Sequence, residues 1–170
     1  MNIRLAERDL KTAYGTFREL LYYDGQKESI ALVMGDVAEG EDVLCRVHSA
    51  CISGHVFSST ECDCREQLEA SQAAIEADGR GIIIYLDQEG KGNGHLALIE
   101  SIPYKKEFGQ AEAYVKAGYK ADARDYRPAA EILADLKVKT VIMVTGNPAK
   151  AEDLRREGIV VSETHGVLGG

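Results

Sequence analysis

R-V-H-S-A-C-I-S-G-H-V-F-S-S-T-E-C-D-C-R-E-Q, residues Arg46 to Gln67, carries three of the chain's four cysteines, at Cys51, Cys62 and Cys64. The spacing is C-x10-C-x-C. Cys62 and Cys64 are too close in sequence for a natural disulfide, yet close enough to share one metal ion, with Cys51 brought in by the intervening loop. Thiolates select soft or borderline ions, and zinc is the default. Three ligands leave a fourth position open to water, whose pKa zinc lowers from 15.7 to roughly 7. Two plainer readings stand beside this one. The cysteines are core residues, as free Cys often is, or Cys45, His48 or His55 completes a closed structural site. Period two in the strand-like run Val43 to His48 puts Val43, Cys45 and Val47 on one face and Leu44, Arg46 and His48 on the other. Cys45 then reads as core, and Arg46 and His48 as facing the site.

Working forward, Asp63 is placed to N-cap a helix, with Glu66 as its capping-box partner. The helix-compatible run Arg65 to Ala77 follows, closed by Gly79. Cys62 and Cys64 fall at a helix N-terminus, where the macrodipole favours thiolate. Gly81 to Leu86 (G-I-I-I-Y-L) reads as a strand buried on both faces. It runs into D-Q-E-G-K-G-N-G-H, a glycine-rich turn of the kind that lets backbone approach a ligand; it fits neither common nucleotide-loop pattern. Helices are expected over Leu96 to Ser101, Gln110 to Ala117 and Ala129 to Leu136, the last opened by Pro128. Ala121 to Arg127 is a charged loop. Thr140 to Thr145 is a second buried strand, and Asn147 and Pro148 start a helix that carries Lys150 in its first turn and ends at Gly158. Ile159 to Ser162 is a last strand, and Gly169-Gly170 a frayed end.

Working backward, residues 2 to 48 read as an antiparallel N-terminal sheet, with turns at Asp24-Gly25 and at Glu39 to Asp42. The whole is a mixed-sheet α/β fold, antiparallel strands first and alternating strands and helices after, in one domain over residues 1–170. A net charge of −8 excludes a broad nucleic-acid surface but leaves room for an anion held by a few local bases. No run reaches transmembrane length, and the first residues carry no signal-peptide pattern. Clustered cysteines fit a reducing, cytoplasmic setting.

With these pieces in view, the chain resembles the GTP cyclohydrolase II family of riboflavin synthesis. R-V-H-S-x-C, C-D-C-x-x-Q-L, Q-E-G, A-D-x-R-D and T-x-N-P-x-K occur in the family's order, within about residues 10–162. The resemblance implies zinc on Cys51, Cys62 and Cys64, and Mg²⁺ with the triphosphate. It implies Asp122 as proton acceptor, Arg124 as nucleophile or clamp at the α-phosphate, and Tyr104 near the family's active-site tyrosine. It places Arg46, Thr145 and Lys150 at the triphosphate and Gln67, Glu89 and Glu112 along the nucleotide, Glu112 against the guanine. His48, Gly90 and Lys91 join the substrate-binding set through the same motifs, Lys91 standing where arginine is usual. The implied reaction opens the purine imidazole ring at C8, releases formate and pyrophosphate, and runs in a homodimer.

Departures sharpen the alternatives. Asp87 replaces an arginine, Asn93 and His95 replace aliphatics, Ala50 replaces a glutamate, and the stretch from Glu89 to Tyr104 is about two residues long for the family. A same-fold paralogue acting on a modified purine nucleotide, or stopping at the formamidopyrimidine, is the first alternative; a non-catalytic nucleotide-binding zinc protein is the second. A nucleobase deaminase is argued against by the lack of H-x-E and P-C-x-x-C.

Overall fold

The computed structural model describes residues 1–167, so the expected fraying at Gly169-Gly170 lies outside the described residues. Strands β1 (Ile3–Thr12), β2 (Gly15–Tyr23) and β3 (Glu28–Met34) form an antiparallel meander. The carboxylate of Asp24 builds the second turn, its Oδ1 accepting from the amides of Gln26 and Lys27 at 2.8 Å each. Then come β4 (Val43–Ser49), the short α1 (Ile52–His55), α2 (Cys64–Asp78) and β5 (Gly81–Leu86). After them follow α3 (His95–Ser101), a 3₁₀ turn (Ile102–Tyr104), α4 (Lys105–Lys116), α5 (Arg127–Asp135), β6 (Thr140–Val144), α6 (Pro148–Arg156) and β7 (Val160–His165).

All seven strands join one mixed sheet in the order β1-β2-β3-β5-β4-β6-β7. The α/β reading holds, with one correction. β4 is not part of the antiparallel N-terminal set: β3 pairs antiparallel with β5, and β4 lies between β5 and β6, parallel to both. The cause is the α2 crossover. Strands joined through a helix return parallel, whereas a tight turn reverses the chain.

β5 is buried on both faces, as its unbroken apolar run predicts. Ile82, Ile84 and Leu86 meet Val43, Cys45 and Val47 of β4 and Ile132, Leu133 and Leu154 from α5 and α6 in the main core. Ile83 points the other way, into a smaller cluster with Phe17 and Ile75 of α2. Cys45 is fully buried in the main core, on the face its period-two register assigns. The other β4 face carries Arg46 and His48, and it looks at the start of α2.

The α4 boundary differs from expectation for a local reason. Gly109 sits at φ 73, ψ 176 inside it, so Lys105–Phe108 and the stretch from Gln110 are two helical pieces meeting at a kink. At α6 the expected cap is present: the side chain of Asn147 accepts from the Ala149 amide at 3.0 Å and Pro148 opens the helix.

Candidate metal centre and cationic cleft

β4 delivers its chain end to Cys51, and α1 turns directly after it. The Ile52 amide donates to the Glu89 carboxylate at 3.1 Å, which anchors this turn on the glycine-rich loop after β5. Cys64 is the first residue of α2 and Cys62 lies just before it. The Sγ atoms of Cys51, Cys62 and Cys64 lie within 4.8 Å of one another, and those of Cys51 and Cys62 are 3.7 Å apart. Thiolates about 2.3 Å from a tetrahedral zinc sit about 3.8 Å apart, so the donor set fits that ion. Gly54 is packed into the same cluster: a Cβ there meets Cys62 Sγ at 2.9 Å and Cys51 Sγ at 3.4 Å.

Two sequence expectations are corrected here. Asp63 makes no side-chain cap, so the capping box with Glu66 does not form. Its Oδ1 instead accepts from Gln67 Nε2 at 2.8 Å, and Gln67 Oε1 accepts from Arg46 Nη2 at 2.6 Å. This chain of contacts bridges the thiol loop to β4. The helix end also does not make Cys64 acidic. Burial and the neighbouring sulfurs push Cys64 up, and burial pushes Cys51 up. A macrodipole contribution of about 0.3–1 kcal/mol works against that burial, and a cation among the sulfurs would favour the thiolates further.

Beside the thiols lies a cleft of about 750 Å³ whose lining includes Arg46, His48, Gln67, Arg124, Thr145 and Lys150. Arg46 is 3% exposed and donates to the Val144 carbonyl at 3.0 Å; burial lowers its pKa. Lys150 is 8% exposed, with Nζ 3.2 Å from the Val47 carbonyl. Its burial, together with the charges of Arg46 and Arg124, pushes it down to about 7. His48 is driven to about 3 by burial and by Arg46, and is neutral. Arg124 Nε donates to Asp122 Oδ1 at 2.9 Å. Burial works against the charge on both partners, but their mutual hydrogen bonds win, raising Arg124 and lowering Asp122.

The loop that holds this pair is clamped by the glycine-rich turn. Gly92 adopts φ +83, and a Cβ on it meets the Ala123 carbonyl at 2.5 Å, so only glycine lets the two loops touch. The Ala123 amide donates to Lys91 O at 2.8 Å. Buried Gln88 ties three segments, its Nε2 donating to Ser49 Oγ at 3.2 Å and its Oε1 accepting from the Asp125 amide at 3.0 Å.

A second chamber, about 400 Å³, opens on the other side of the thiols and shares Cys62, Cys64, Lys105, Gln110 and Arg124 with the first. Its walls include Glu89, Gly90 and Lys91, as well as the apolar Leu98, Ile99 and Ile102. The Glu89 carboxylate is already engaged, by the Ile52 amide and by His95 Nδ1 at 3.2 Å.

The structure leaves three sequence-predicted residues, Tyr104, Glu112 and Asp122, out of both linings. Tyr104 lies on the 3₁₀ turn, 38% exposed, and lines neither chamber. Glu112 is exposed on α4 and is likewise absent from both linings. The physical reason is the face α4 buries. Ala113 and Tyr114 point inward, and Gln110, one helical turn before Tyr114, shares that side, whereas Glu112 does not. Tyr114, 1% exposed, is the tyrosine of the metal-side chamber. Sequence reading missed it, along with Lys105, Gln110 and Tyr85. Only the i, i+4 spacing of Gln110 and Tyr114 signals any of them. Asp122 reaches the cleft through Arg124 and is not itself in the lining.

The model of one family, GTP cyclohydrolase II, matches residues 3–166. The chain belongs to the GTP cyclohydrolase II family. Among curated relatives it is 44% identical to riboflavin biosynthesis protein RibBA of Bacillus cereus (strain ATCC 14579) over 94% of this chain and 41% of that protein. It is 40% identical to the protein of the same name from Chlorobium phaeovibrioides, over 94% of this chain and 40% of the relative. The chain thus spans about two fifths of the length of these relatives. Among solved structures it is similar to RibBX, a two-domain 3,4-dihydroxy-2-butanone 4-phosphate synthase from A. baumannii, with a TM-score of 0.50 and 17% identity. That match covers 96% of this chain and 40% of that one, and it is a likeness of fold alone. Among the described residues no helix is long and apolar enough to cross a membrane.

Proposed function

We propose that this chain is a zinc-dependent GTP cyclohydrolase II of riboflavin biosynthesis, acting as one domain in the cytoplasm and as a homodimer. It opens the imidazole ring of GTP at C8 and releases formate and pyrophosphate, leaving a diaminopyrimidinone ribosyl phosphate. The observation that carries this reading is the shared wall: Cys62, Cys64 and Arg124 line both chambers, so a metal and an anion site meet in one cleft. Cys51, Cys62 and Cys64 would hold the zinc, which would supply Lewis acidity and a bound water of pKa near 7 for the attack on the purine.

The chain's own residues do the rest. Arg46, Thr145 and Lys150 bind the triphosphate, which carries Mg²⁺. Arg124, held in line by Asp122, clamps the α-phosphate, where a third water forms the new P–O bond as the α–β anhydride breaks and pyrophosphate leaves, and Asp122 accepts that water's proton. Gln67 keeps Arg46 aimed at the cleft. Glu89 and its neighbours Gly90 and Lys91 hold the nucleotide along the metal-side chamber. Two waters react at C8, one opening the ring and one releasing formate. The second water is positioned by a tyrosine: the family resemblance gives that role to Tyr104, and the presence of Tyr114 in the chamber wall supports Tyr114 as the alternative.

A second reading is favoured by one observation. With Glu89 engaged by His95 and the Ile52 amide, and Ala50 in the wall, the metal-side chamber offers guanine fewer free acceptors. A modified purine nucleotide, or arrest at the formamidopyrimidine, fits that chamber. The deciding experiment incubates zinc-loaded protein with GTP and Mg²⁺ and identifies products by mass. Equal formate and pyrophosphate are expected; accumulation of the formamido nucleotide favours arrest, and untouched GTP refutes GTP as substrate.

A further inference from the structure

From the buried Arg46 and His48 of the cationic cleft a polar chain runs on to the half-buried His55 and Tyr85, which line neither chamber. Arg46 Nε and Nη2 lie 3.3 and 3.2 Å from His48 Nδ1. His48 Nε2 lies 2.8 Å from His55 Nε2, and His55 Nδ1 lies 3.1 Å from Tyr85 Oη. The chain links β4, α1 and β5. Its rings are in contact, with the His48 and His55 centroids 4.9 Å apart and those of His55 and Tyr85 5.6 Å apart.

The direction of this chain follows from donor chemistry. A guanidinium only donates, so His48 Nδ1 accepts. A neutral His48 then carries its proton on Nε2 and donates to His55 Nε2. A neutral His55, accepting there, carries its proton on Nδ1 and donates to Tyr85 Oη. Running the chain backward requires a proton on His48 Nδ1, pointed at the guanidinium. The Cys51 amide competes from the other end: it donates to His55 Nδ1 at 3.3 Å when that nitrogen carries no proton, a bond that the Nδ1–H tautomer gives up for Tyr85. What Arg46 does is therefore felt at the backbone of a metal ligand. The His55 carbonyl, meanwhile, accepts from Arg65 Nη2 at 2.6 Å and pins α1 to α2.

We propose that His48 and His55 are positioning residues: a relay of fixed tautomers, set by Arg46, that ties the turn after Cys51 to Tyr85 of β5, decides whether His55 Nδ1 is free for the Cys51 amide, and so couples the cationic chamber to the thiol cluster. The inference rests on the reading that the thiols hold a metal, but not on GTP being the substrate.

Long-range ¹H–¹⁵N imidazole spectra of the ¹⁵N-histidine-labelled, zinc-loaded protein test the tautomers. His48 is expected as Nε2–H and His55 as Nδ1–H; the opposite tautomer at either ring, or averaging between the two, overturns the relay. Co²⁺ affinity, read from its visible absorption, tests the positioning. His55→Phe is expected to lower it roughly ten- to a hundredfold, the usual cost of losing a ligand's supporting shell. His55→Gln, which keeps an acceptor for His48, recovers part of that loss. Tyr85→Phe, a milder change, lowers it about fivefold. Wild-type Co²⁺ affinity in His55→Phe overturns the proposal. So does a loss fully accounted for by a lower melting temperature of the metal-free protein. These readouts need no turnover, so failure of GTP hydrolysis in the wild type refutes the substrate reading and leaves the relay standing.

Discussion

The two chambers that meet at the thiols are built by different means. The cationic one draws Arg46 from the middle of β4, Thr145 from the end of β6 and Lys150 from the first turn of α6, with Arg124 from a loop clamped by Gly92. Its charges are held by backbone carbonyls and by Asp122, so it stands ready before any anion arrives. The metal-side chamber is walled by α3, the 3₁₀ turn and α4, with a kink at Gly109 and apolar side chains half in solvent. On the proposed function, a preorganised anion site and a softer, more adaptable wall would divide the work: the first would fix where phosphates go, the second which base is accepted. Breaking the thiols should disable both sides, breaking a cation should disable one, and breaking a wall residue should change choice more than rate.

The largest effect belongs to the shared thiols. Cys62→Ser is expected to lower bound zinc from about one per chain to near zero and to abolish ring opening. Cys45→Ser, in the main core, keeps its zinc and loses stability only, about 1–3 kcal/mol for a buried hydroxyl. Metal analysis of both variants after dialysis checks this, and full zinc retention by Cys62→Ser refutes the centre. Next comes the cationic side. Arg124→Ala removes the group aimed at the reacting phosphate and is expected to slow pyrophosphate release about 10³-fold or more, with zinc unchanged. A wild-type rate in that variant breaks the division between chambers.

Lys150 sharpens the comparison by pH. Burial, helped by Arg46 and Arg124, puts it at about 7, below the ordinary lysine value of 10.5. Below pH 7 it is charged both folded and unfolded, and the cost of burying that charge is fully present. Between 7 and 10.5 the folded protein gives up the proton first, and the cost fades as pH rises. A bound anion calls the proton back. Tripolyphosphate affinity is therefore expected to be flat below pH 7 and to fall by up to about tenfold per pH unit above it, with proton uptake on binding. Calorimetry in two buffers of different ionisation enthalpy measures that uptake. Lys150→Met should abolish the slope and weaken binding about ten- to a hundredfold at pH 6. Equal heats in both buffers for the wild type count against a Lys150 that titrates near 7.

The same contrast explains what could be read before the structure. Cys51, Cys62, Cys64, Arg124 and Lys150 stand at helix starts and in loops, where local rules place them, and Arg46 lies mid-strand on the face that period two assigns. The two-sided burial of β5 and the core position of Cys45 followed from periodicity. The place of β4 in the sheet did not, because a strand's partner depends on the crossover and not on its own residues. Nor did the wall of the metal-side chamber. Whether Glu112 or Gln110 faces inward depends on how α4 rolls about the Gly109 kink, and its exposed and buried faces carry similar residues. Asp63 and Glu66 matched a capping box by spacing, but Gln67 and Arg46 offered Asp63 a better-connected bond across the fold.

The smallest effect tests that roll directly. Gln110 lines both chambers, and its side-chain amide can donate and accept toward the pyrimidine edge of a purine, where guanine shows N1–H and O6 together. Glu112, two residues on, is exposed and outside both linings. Gln110→Ala should therefore reduce the preference for GTP over ATP by about fivefold, the worth of roughly 1 kcal/mol for one neutral hydrogen bond, with zinc content and the Lys150 proton uptake unchanged. Glu112→Ala should leave the preference as it is. Competition between the two nucleotides for the zinc-loaded protein reads both variants in one assay. If Glu112→Ala loses the preference and Gln110→Ala keeps it, α4 is rolled by about half a turn from the arrangement described, and the base is read by the carboxylate that the family resemblance names. If neither variant changes it, the base is chosen at Glu89 and His95, on the opposite wall, where the carboxylate must first let go of the Ile52 amide; the turn carrying Cys51 would then move whenever a purine is selected.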